Sequence, residues 1–206
     1  MVVRKFLPLR LPRCESKKGD ERKVNAAEAI PARKSSQDDL YEEAAVSFGA
    51  ALERLTRAYE ANPDHRRDLL QEIHIALWRS LSTFDRRCSL RTWVYRVAHN
   101  VGASHVARQY RTRPESLVDL EELENVPDPR GGDAIADRSV ALNRLLEMIQ
   151  RLKPLDRDVI LSYLEGLEAD EIGEITGLSA RNVATKIHRI KNILARFYNQ
   201  GGQSRD

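Results

Sequence analysis

The chain has 206 residues, of which 41% are hydrophobic and 32% charged, and its formal net charge is +3. This length suits one large domain or two small ones, and the polar composition favours small helical domains with much exposed surface. Two cysteines, Cys14 and Cys88, exclude a disulfide scaffold and lack metal-ligand spacing, which favours a reducing, cytoplasmic setting. No apolar window approaches about 18 residues, so no membrane insertion is expected.

The charges are distributed unevenly along the chain. Residues 1–36 hold ten Lys and Arg against four acids, and 115–137 hold eight acids against Arg130 alone. The segments 91–113 and 180–200 each carry five basic residues and no acid. Two basic blocks on either side of an acidic one indicate an anionic partner more strongly than the small net charge does.

The first segment, 1–37, is basic, rich in proline and without sustained periodicity, so it is predicted to be mostly disordered. Two interpretations stay open for it: a solvated tail, or an arm that binds nucleic acid or a polymerase.

Residues 38–112 are predicted to form a first helical domain. One helix begins at Asp38 and stops at Asn62-Pro63. The residues on its predicted inward face are Leu40, Ala44, Phe48, Ala51, Leu52, Leu55 and Tyr59. A second helix follows with Asp64 as its expected cap. Its apolar stripe consists of Leu69, Leu70, Ile73, Leu77 and Leu81. Ser89 is expected to cap a third helix ending near Gln109. Its predicted inward side chains are Trp93, Val94, Val97, Ala98 and Val101.

The acidic segment 113–137, with its prolines and Gly131-Gly132, is predicted to be a flexible linker. Helical patterns resume over 138–152, 155–164, 170–176 and 179–199, and 200–206 is a second disordered tail. The fold class expected is therefore all-α, with two small helical domains joined by an acidic tether.

The stretch "ADEIGEITGLSARNVATKIHRI" has the pattern of a helix-turn-helix. Gly177 supplies a left-handed residue that ends the first helix, Leu178 fills the turn, and Ser179 caps the second. Val183, Ile187, Ile190 and Leu194 share one arc of that second helix. The opposite side presents the residue types that read bases and phosphates in a major groove: Arg181, Asn182, Thr185 and Arg189, with Lys186 at the border. An ordinary helical hairpin with a solvated basic face is the alternative.

The residues do not suggest an enzyme. The five histidines have no HExxH or cysteine-pair companions, and the chain has no Gly-rich phosphate loop or nucleophile elbow, so no catalytic residue, metal or cofactor is expected. A stand-alone helix-turn-helix regulator that binds operator DNA as a dimer is a serious alternative interpretation of these patterns.

The stretch "LKPLDRDVILSYLEGLEADEIGEITGLSARNVATKIHRIKNIL" resembles region four of bacterial sigma factors, which binds the minus-thirty-five promoter element. "DLLQEIHIALWRSL" and "SLRTWVYRVAHNV" resemble region two. Having both, with no room for a full region three, is similar to the extracytoplasmic-function group and covers roughly residues 40–198. The resemblance implies core RNA polymerase and promoter DNA as partners, together with an anti-sigma factor.

The resemblance also implies roles for particular residues. The "DLLQE" helix would dock on the clamp helices of the polymerase largest subunit through Asp68, Gln71, Glu72 and Arg79. The segment 84–105 would capture the minus-ten non-template strand. This segment contains residue types that bind phosphates or contact bases: Arg86, Arg87, Arg91, Tyr95, Arg96, His99 and Asn100. Trp93 lies at core spacing, so Tyr95 is the favoured aromatic contact.

The chain departs from the family pattern at several positions. Glu168 stands where a Ser or Thr cap is usual, Gly173 where Ala is usual, and Ala184 at a frequently basic position. His74 stands where region two usually has an aromatic. Two interpretations of the linker stay open: it threads the polymerase interior, or it is a solvated spacer between two basic domains.

Overall fold

The computed structural model describes residues 36–110 and 138–200, with side chains placed at 36–109 and 142–196. Across these residues every regular element is a helix, with no strand. The basic tail, Cys14, the acidic linker and the last residues lie outside the described part, so the predictions made for them stay predictions.

Three helices form the first bundle: α1 (Gln37–Tyr59), α2 (Pro63–Leu81) and α3 (Leu90–Tyr110). Helix α1 starts at a capping box, in which Ser36 Oγ accepts from the Asp39 N–H and the Asp39 carboxylate accepts from the Ser36 N–H. Its predicted inward face is confirmed, with Phe48 half-buried and the other six side chains buried.

The expected cap of α2 was wrong by two residues. Asn62, not Asp64, is the cap, and its side chain accepts from the backbone N–H groups of Asp64 and His65. Pro63 takes the first helical position, where its fixed φ suits a helix and its missing N–H costs nothing. Asp64 therefore lies inside the first turn, where a negative charge favours the helix dipole.

Helix α3 begins as predicted, because Ser89 Oγ accepts from the Thr92 N–H at 3.0 Å. The five predicted inward side chains are all buried. Trp93 belongs to the core, as its spacing indicated: its Nε1 donates to Ser80 Oγ at 3.0 Å, and the Phe84 ring packs against it with centroids 5.2 Å apart. That ring contact anchors the loop 82–89 to the bundle.

Four helices form the second unit: α4 (Arg138–Arg151), α5 (Pro154–Leu164), α6 (Ala169–Thr176) and α7 (Ala180–Gln200). Buried isoleucines Ile160, Ile172 and Ile190 join α5, α6 and α7. Among the arc predicted for α7, Val183, Ile187 and Ile190 are buried and Leu194 is partly buried.

The two units pack against each other. Helix α3 contacts α5 and α6, and α1 contacts α4, so the buried side chains form one continuous cluster across both units. This packing determines which of the candidate site residues are accessible.

Candidate nucleic-acid interface

The helix-turn-helix forms as the sequence predicts. Gly177 has φ +78°, in the left-handed region, and its N–H bonds to the Gly173 carbonyl at 2.9 Å. Ser179 Oγ accepts from the Asn182 N–H at 3.3 Å and so caps α7. Glu168 begins α6 in place of a Ser or Thr, and its backbone N–H donates to the Glu171 carboxylate at 2.9 Å.

The outer side of α7 presents a polar face. Arg181, Asn182 and Thr185 are exposed, opposite the buried Val183 and Ile187. Arg189 is half-buried and has a partner within the chain. The side chains that suit base reading therefore lie at the amino-terminal half of α7, which is the half that enters a major groove in helix-turn-helix proteins.

Lys186 differs from its neighbours on α7. Its Nζ lies 2.5 Å from Oδ1 of Asp156, a residue only 6% exposed at the start of α5. The ammonium group thus compensates a buried carboxylate, a role that the sequence pattern did not indicate.

The loop 82–89 carries two of the arginines expected at the minus-ten element. Both Arg86 and Arg87 are exposed. Arg86 has φ +59°, the one positive φ of a described residue other than glycine, and such backbone conformations concentrate at functional sites. Arg87 pairs with Asp85 at 3.2 Å.

Farther along α3, three of the residues expected to contact the minus-ten strand are buried. Tyr95, Arg96 and His99 are each only 2% exposed, because the second unit covers this face. Arg96 Nη2 donates to the Glu174 carbonyl at 2.6 Å, and Tyr95 OH donates to the Glu165 carboxylate at 3.3 Å. These side chains cannot contact DNA while the two units are packed in this way. Arg91 and Asn100 are half-buried.

His99 lies in a buried polar cluster that joins the two units. Its Nδ1 is 2.9 Å from Tyr59 OH and 3.2 Å from Oδ1 of Asp158, and its Nε2 is 2.9 Å from Ser162 Oγ. Tyr59 OH also donates to Asp158. Burial, and to a lesser extent the nearby Asp158 carboxylate, raises the pKa of Tyr59 well above its usual value. The order Ser–His–Asp matches a nucleophilic triad, but Ser162 is fully buried, so this serine cannot meet a substrate.

His105 of α3 stabilises the first bundle. Its Nε2 lies 2.8 Å from the buried carboxylate of Glu60. Burial alone raises the pKa of Glu60, but hydrogen bonds from the Asn62 N–H, His105 and Gln109 outweigh burial and lower it. His74, one of the four departures from the family pattern, contacts Tyr41 OH through Nδ1 at 3.1 Å and so links α1 to α2.

The "DLLQE" helix presents its polar edge as expected, since Asp68, Gln71, Glu72 and Arg79 are all exposed. Glu72 pairs with Arg108 of α3 at 2.6 Å. The same edge carries two apolar side chains that the sequence analysis missed, Ile75 at 50% and Trp78 at 44% exposure. Ile75 follows Gln71 and Glu72 by four and three residues, and Trp78 follows Ile75 by three, so this helical spacing off the Leu69 stripe was the signal that could have found them.

Two family models match the chain over much of this architecture. The model described as Sigma-70 region 2 matches residues 47–112, and that described as Sigma-70, region 4 matches residues 142–194. Together they span more than half of the chain and both units. The chain belongs to the sigma-70 family.

Similar proteins agree with this assignment to the sigma-70 family. The chain is 26% identical over 164 residues to the RNA polymerase sigma factor NccH of Alcaligenes xylosoxydans xylosoxydans, covering 78% of this chain and 88% of that protein. It is 28% identical over 137 residues to the ECF RNA polymerase sigma-E factor of Escherichia coli (strain K12), covering 62% and 70%. The structure of CnrH in complex with the cytosolic domain of CnrY shares the fold, with a TM-score of 0.55, 21% identity and coverage of 80% and 90%.

This sigma factor is of the extracytoplasmic-function type, and it directs RNA polymerase to promoters. Its partners are core RNA polymerase and promoter DNA. We refer to the unit of α1 to α3, which contains the match to region 2, as region two, and to the unit of α4 to α7, which contains the match to region 4, as region four. Among the described residues, no helix is long and apolar enough to cross a membrane, and no group of acidic, histidine or cysteine side chains is placed to hold a metal ion.

Proposed function

We propose that this sigma factor divides promoter recognition between its two regions. Region four reads the minus-thirty-five element through Arg181, Asn182, Thr185 and Arg189, with Lys186 beside the phosphates. The observation that supports the role of region four is the exposed polar face of α7. This face lies opposite the buried apolar arc of the same helix, which starts at the cap formed by Ser179. Arginine suits guanine and asparagine suits adenine in a major groove.

Region two captures the melted minus-ten strand. The exposed loop arginines Arg86 and Arg87 provide the first phosphate contacts, and the rest of the set follows along α3: Arg91, Tyr95, Arg96, His99 and Asn100. Three of these are covered by region four in the packed form, so the proposal requires the two regions to separate when promoter DNA binds.

Core polymerase binds the edge of α2. Asp68, Gln71, Glu72 and Arg79 provide a charged rim, and Ile75 and Trp78 add exposed apolar surface between them. An apolar centre with a charged rim is the usual composition of a protein–protein interface. This surface lies in the described region-two bundle and does not depend on separation from region four.

The proposal extends to domain bounds, setting and control. We place region two at 38–112 and region four at 138–199, with 113–137 as the linker and 1–37 and 200–206 as tails. The chain acts in the cytoplasm, where core polymerase and promoter DNA are, and it acts without catalysis. Because the solved relative CnrH is bound to the cytosolic domain of CnrY, we propose that an anti-sigma partner holds this chain as well.

Run-off transcription tests the proposal. The chain is mixed with core polymerase and a library of upstream regions. Specific transcripts are expected only when the chain and core polymerase are both present. The Asp68→Arg/Glu72→Arg variant should stay helical but lose transcription and co-purification with core. Arg181→Ala should keep core binding and relax preference at one minus-thirty-five position, at a cost of about 1–3 kcal/mol. Equal promoter preferences in Arg181→Ala and the parent would contradict base reading by Arg181.

A further inference from the structure

The face of region four that covers α3 presents hydrogen-bond acceptors to the arginines of region two. Arg91 Nη2 donates to the Glu165 carbonyl and Arg96 Nη2 to the Glu174 carbonyl, each at 2.6 Å. Glu165 is the C-cap of α5, and Glu174 lies in the last turn of α6. Carbonyls at helix carboxyl ends are the negative poles of their helices, so two such poles face two arginines.

The Glu165 side chain completes this arrangement. Its two carboxylate oxygens accept from Nε and Nη2 of Arg54 at 2.8 and 2.7 Å, and one of them also accepts from Tyr95 OH at 3.3 Å. A two-pronged contact of this kind is how a guanidinium group binds a carboxylate or a phosphate. The bond to Glu165 raises the pKa of Arg54, and burial, with Glu165 nearby, raises that of Tyr95 to about 12.

Glu165 thus lies where three potential DNA-binding groups of region two converge: Arg54, Arg91 and Tyr95. Arg54 belongs to α1, outside the segment 84–105 that the sequence indicated for the minus-ten strand, and its side chain is 58% exposed. We propose that Arg54 and Tyr95, with Arg91 beside them, form a site for a backbone phosphate of single-stranded DNA, and that the Glu165 carboxylate masks this site in the free chain.

This inference rests on the proposed function, since it takes the minus-ten strand as the ligand, and it adds Arg54 to the strand-binding residues. Release of the mask frees all three groups at once and also exposes Arg96 and His99. The Arg54–Glu165 pair is partly solvated, and such pairs are weak, so the packed form can yield to DNA or polymerase. The free chain binds single strands poorly because only the open fraction is competent.

Fluorescence anisotropy with a labelled single-stranded oligonucleotide and the full chain, without polymerase, tests the mask. Glu165→Gln is compared with Glu174→Gln, which makes the same charge change but leaves the carbonyl contact of residue 174 in place. We expect tighter binding, by about threefold or more, for Glu165→Gln only. A second pair of variants, Glu165→Lys and Glu174→Lys, is needed because the side-chain amide in Glu165→Gln can still accept a hydrogen bond from Arg54, whereas a lysine cannot. Equal affinities within both pairs would overturn the mask.

The phosphate site has its own test in the Glu165→Lys background. Adding Arg54→Gln should weaken oligonucleotide binding and lower the slope of log affinity against log salt by about 0.7, the value for one phosphate on a single strand. An unchanged slope would remove Arg54 from the site. Run-off transcription by the parent chain separates the two failures: if transcription persists while all variants bind DNA alike, the mask is wrong and the proposed function stands.

Discussion

Lys186 shows how one partner adds a structural role to a side chain. On the sequence it is a basic residue at the border of a recognition helix, equivalent to Arg181 one and a half turns earlier. In the structure its ammonium group pairs with the buried Asp156, whereas Arg181 is exposed. A buried carboxylate that loses its cation destabilises the fold, but an exposed arginine can be removed at little cost.

Lys186→Ala should therefore lower the free energy of unfolding by about 1–3 kcal/mol, because Asp156 is left buried without its charged partner. Urea unfolding followed by circular dichroism measures it. Arg181→Ala on the same helix is the matched control and should change stability by less than about 0.5 kcal/mol. Equal stability of the two variants would mean that the ion pair contributes nothing.

At the scale of elements, the turn between α6 and α7 is packed tightly enough to explain a departure from the family pattern. A Cβ built on Gly173 would lie 2.7 Å from the Leu178 carbonyl oxygen, a backbone atom that cannot move without shifting the turn. The usual alanine of the family therefore does not fit this turn as it is folded here.

Gly173→Ala should destabilise the chain by about 1–3 kcal/mol, since overpacking against backbone outweighs the better helix propensity of alanine. Gly49→Ala is the control: it lies in α1 with nothing within 4 Å of the added Cβ, and should stabilise by about 0.5–1 kcal/mol. Thermal unfolding of both variants measures the difference. A stabilised Gly173→Ala chain would show that the turn relaxes freely.

Helix α2 gives a second prediction at this scale, about the apolar surface on its outer edge. Ile75→Glu should weaken binding to core polymerase about tenfold or more, because a charge would replace an apolar contact at the centre of the proposed interface. Val46→Glu, at an 82% exposed valine of α1, should bind core as the parent does. Competition for core against a labelled parent chain measures both. Equal loss in both variants would point to a general effect of charge.

At the scale of the whole molecule, the cluster of Tyr59, His99, Asp158 and Ser162 couples the two regions. These side chains come from α1, α3 and α5, and Tyr59 and His99 are almost fully buried where the regions meet. Buried polar groups need their partners, so the cluster favours one relative placement of the regions over others.

A double-mutant cycle tests that placement in solution. Tyr59→Phe and Asp158→Ala should show a coupling energy of about 0.5–3 kcal/mol in the free energy of unfolding, because each removes one partner of the same hydrogen bond. Tyr41→Phe paired with Asp158→Ala is the control, since Tyr41 bonds to His74 within region two, and it should give additive effects. Additivity in both cycles would mean that the regions do not pack in the free chain.

The sequence by itself determined the helices, the caps at Ser89 and Ser179 and the apolar faces of both regions. Those features are local: a cap acts over three residues, as at Ser89 and Ser179, and a helical stripe repeats every three to four. The helix-turn-helix followed from such signals, as did the exposed edge with Asp68 and Glu72. The cap of α2 was misplaced because Asn62 and Asp64 are both good caps, and only the position of Pro63 separates them.

Only the tertiary structure decided which polar side chains of α3 are accessible. Tyr95, Arg96 and His99 lie off the apolar stripe, so periodicity predicts that they face solvent. Their partners Glu165, Glu174 and Ser162 are 70, 78 and 63 residues away in the chain. Polar groups can be buried when hydrogen bonds replace those to water, and such compensation leaves no periodic pattern in the sequence. The pairing of Lys186 with Asp156 was hidden for the same reason.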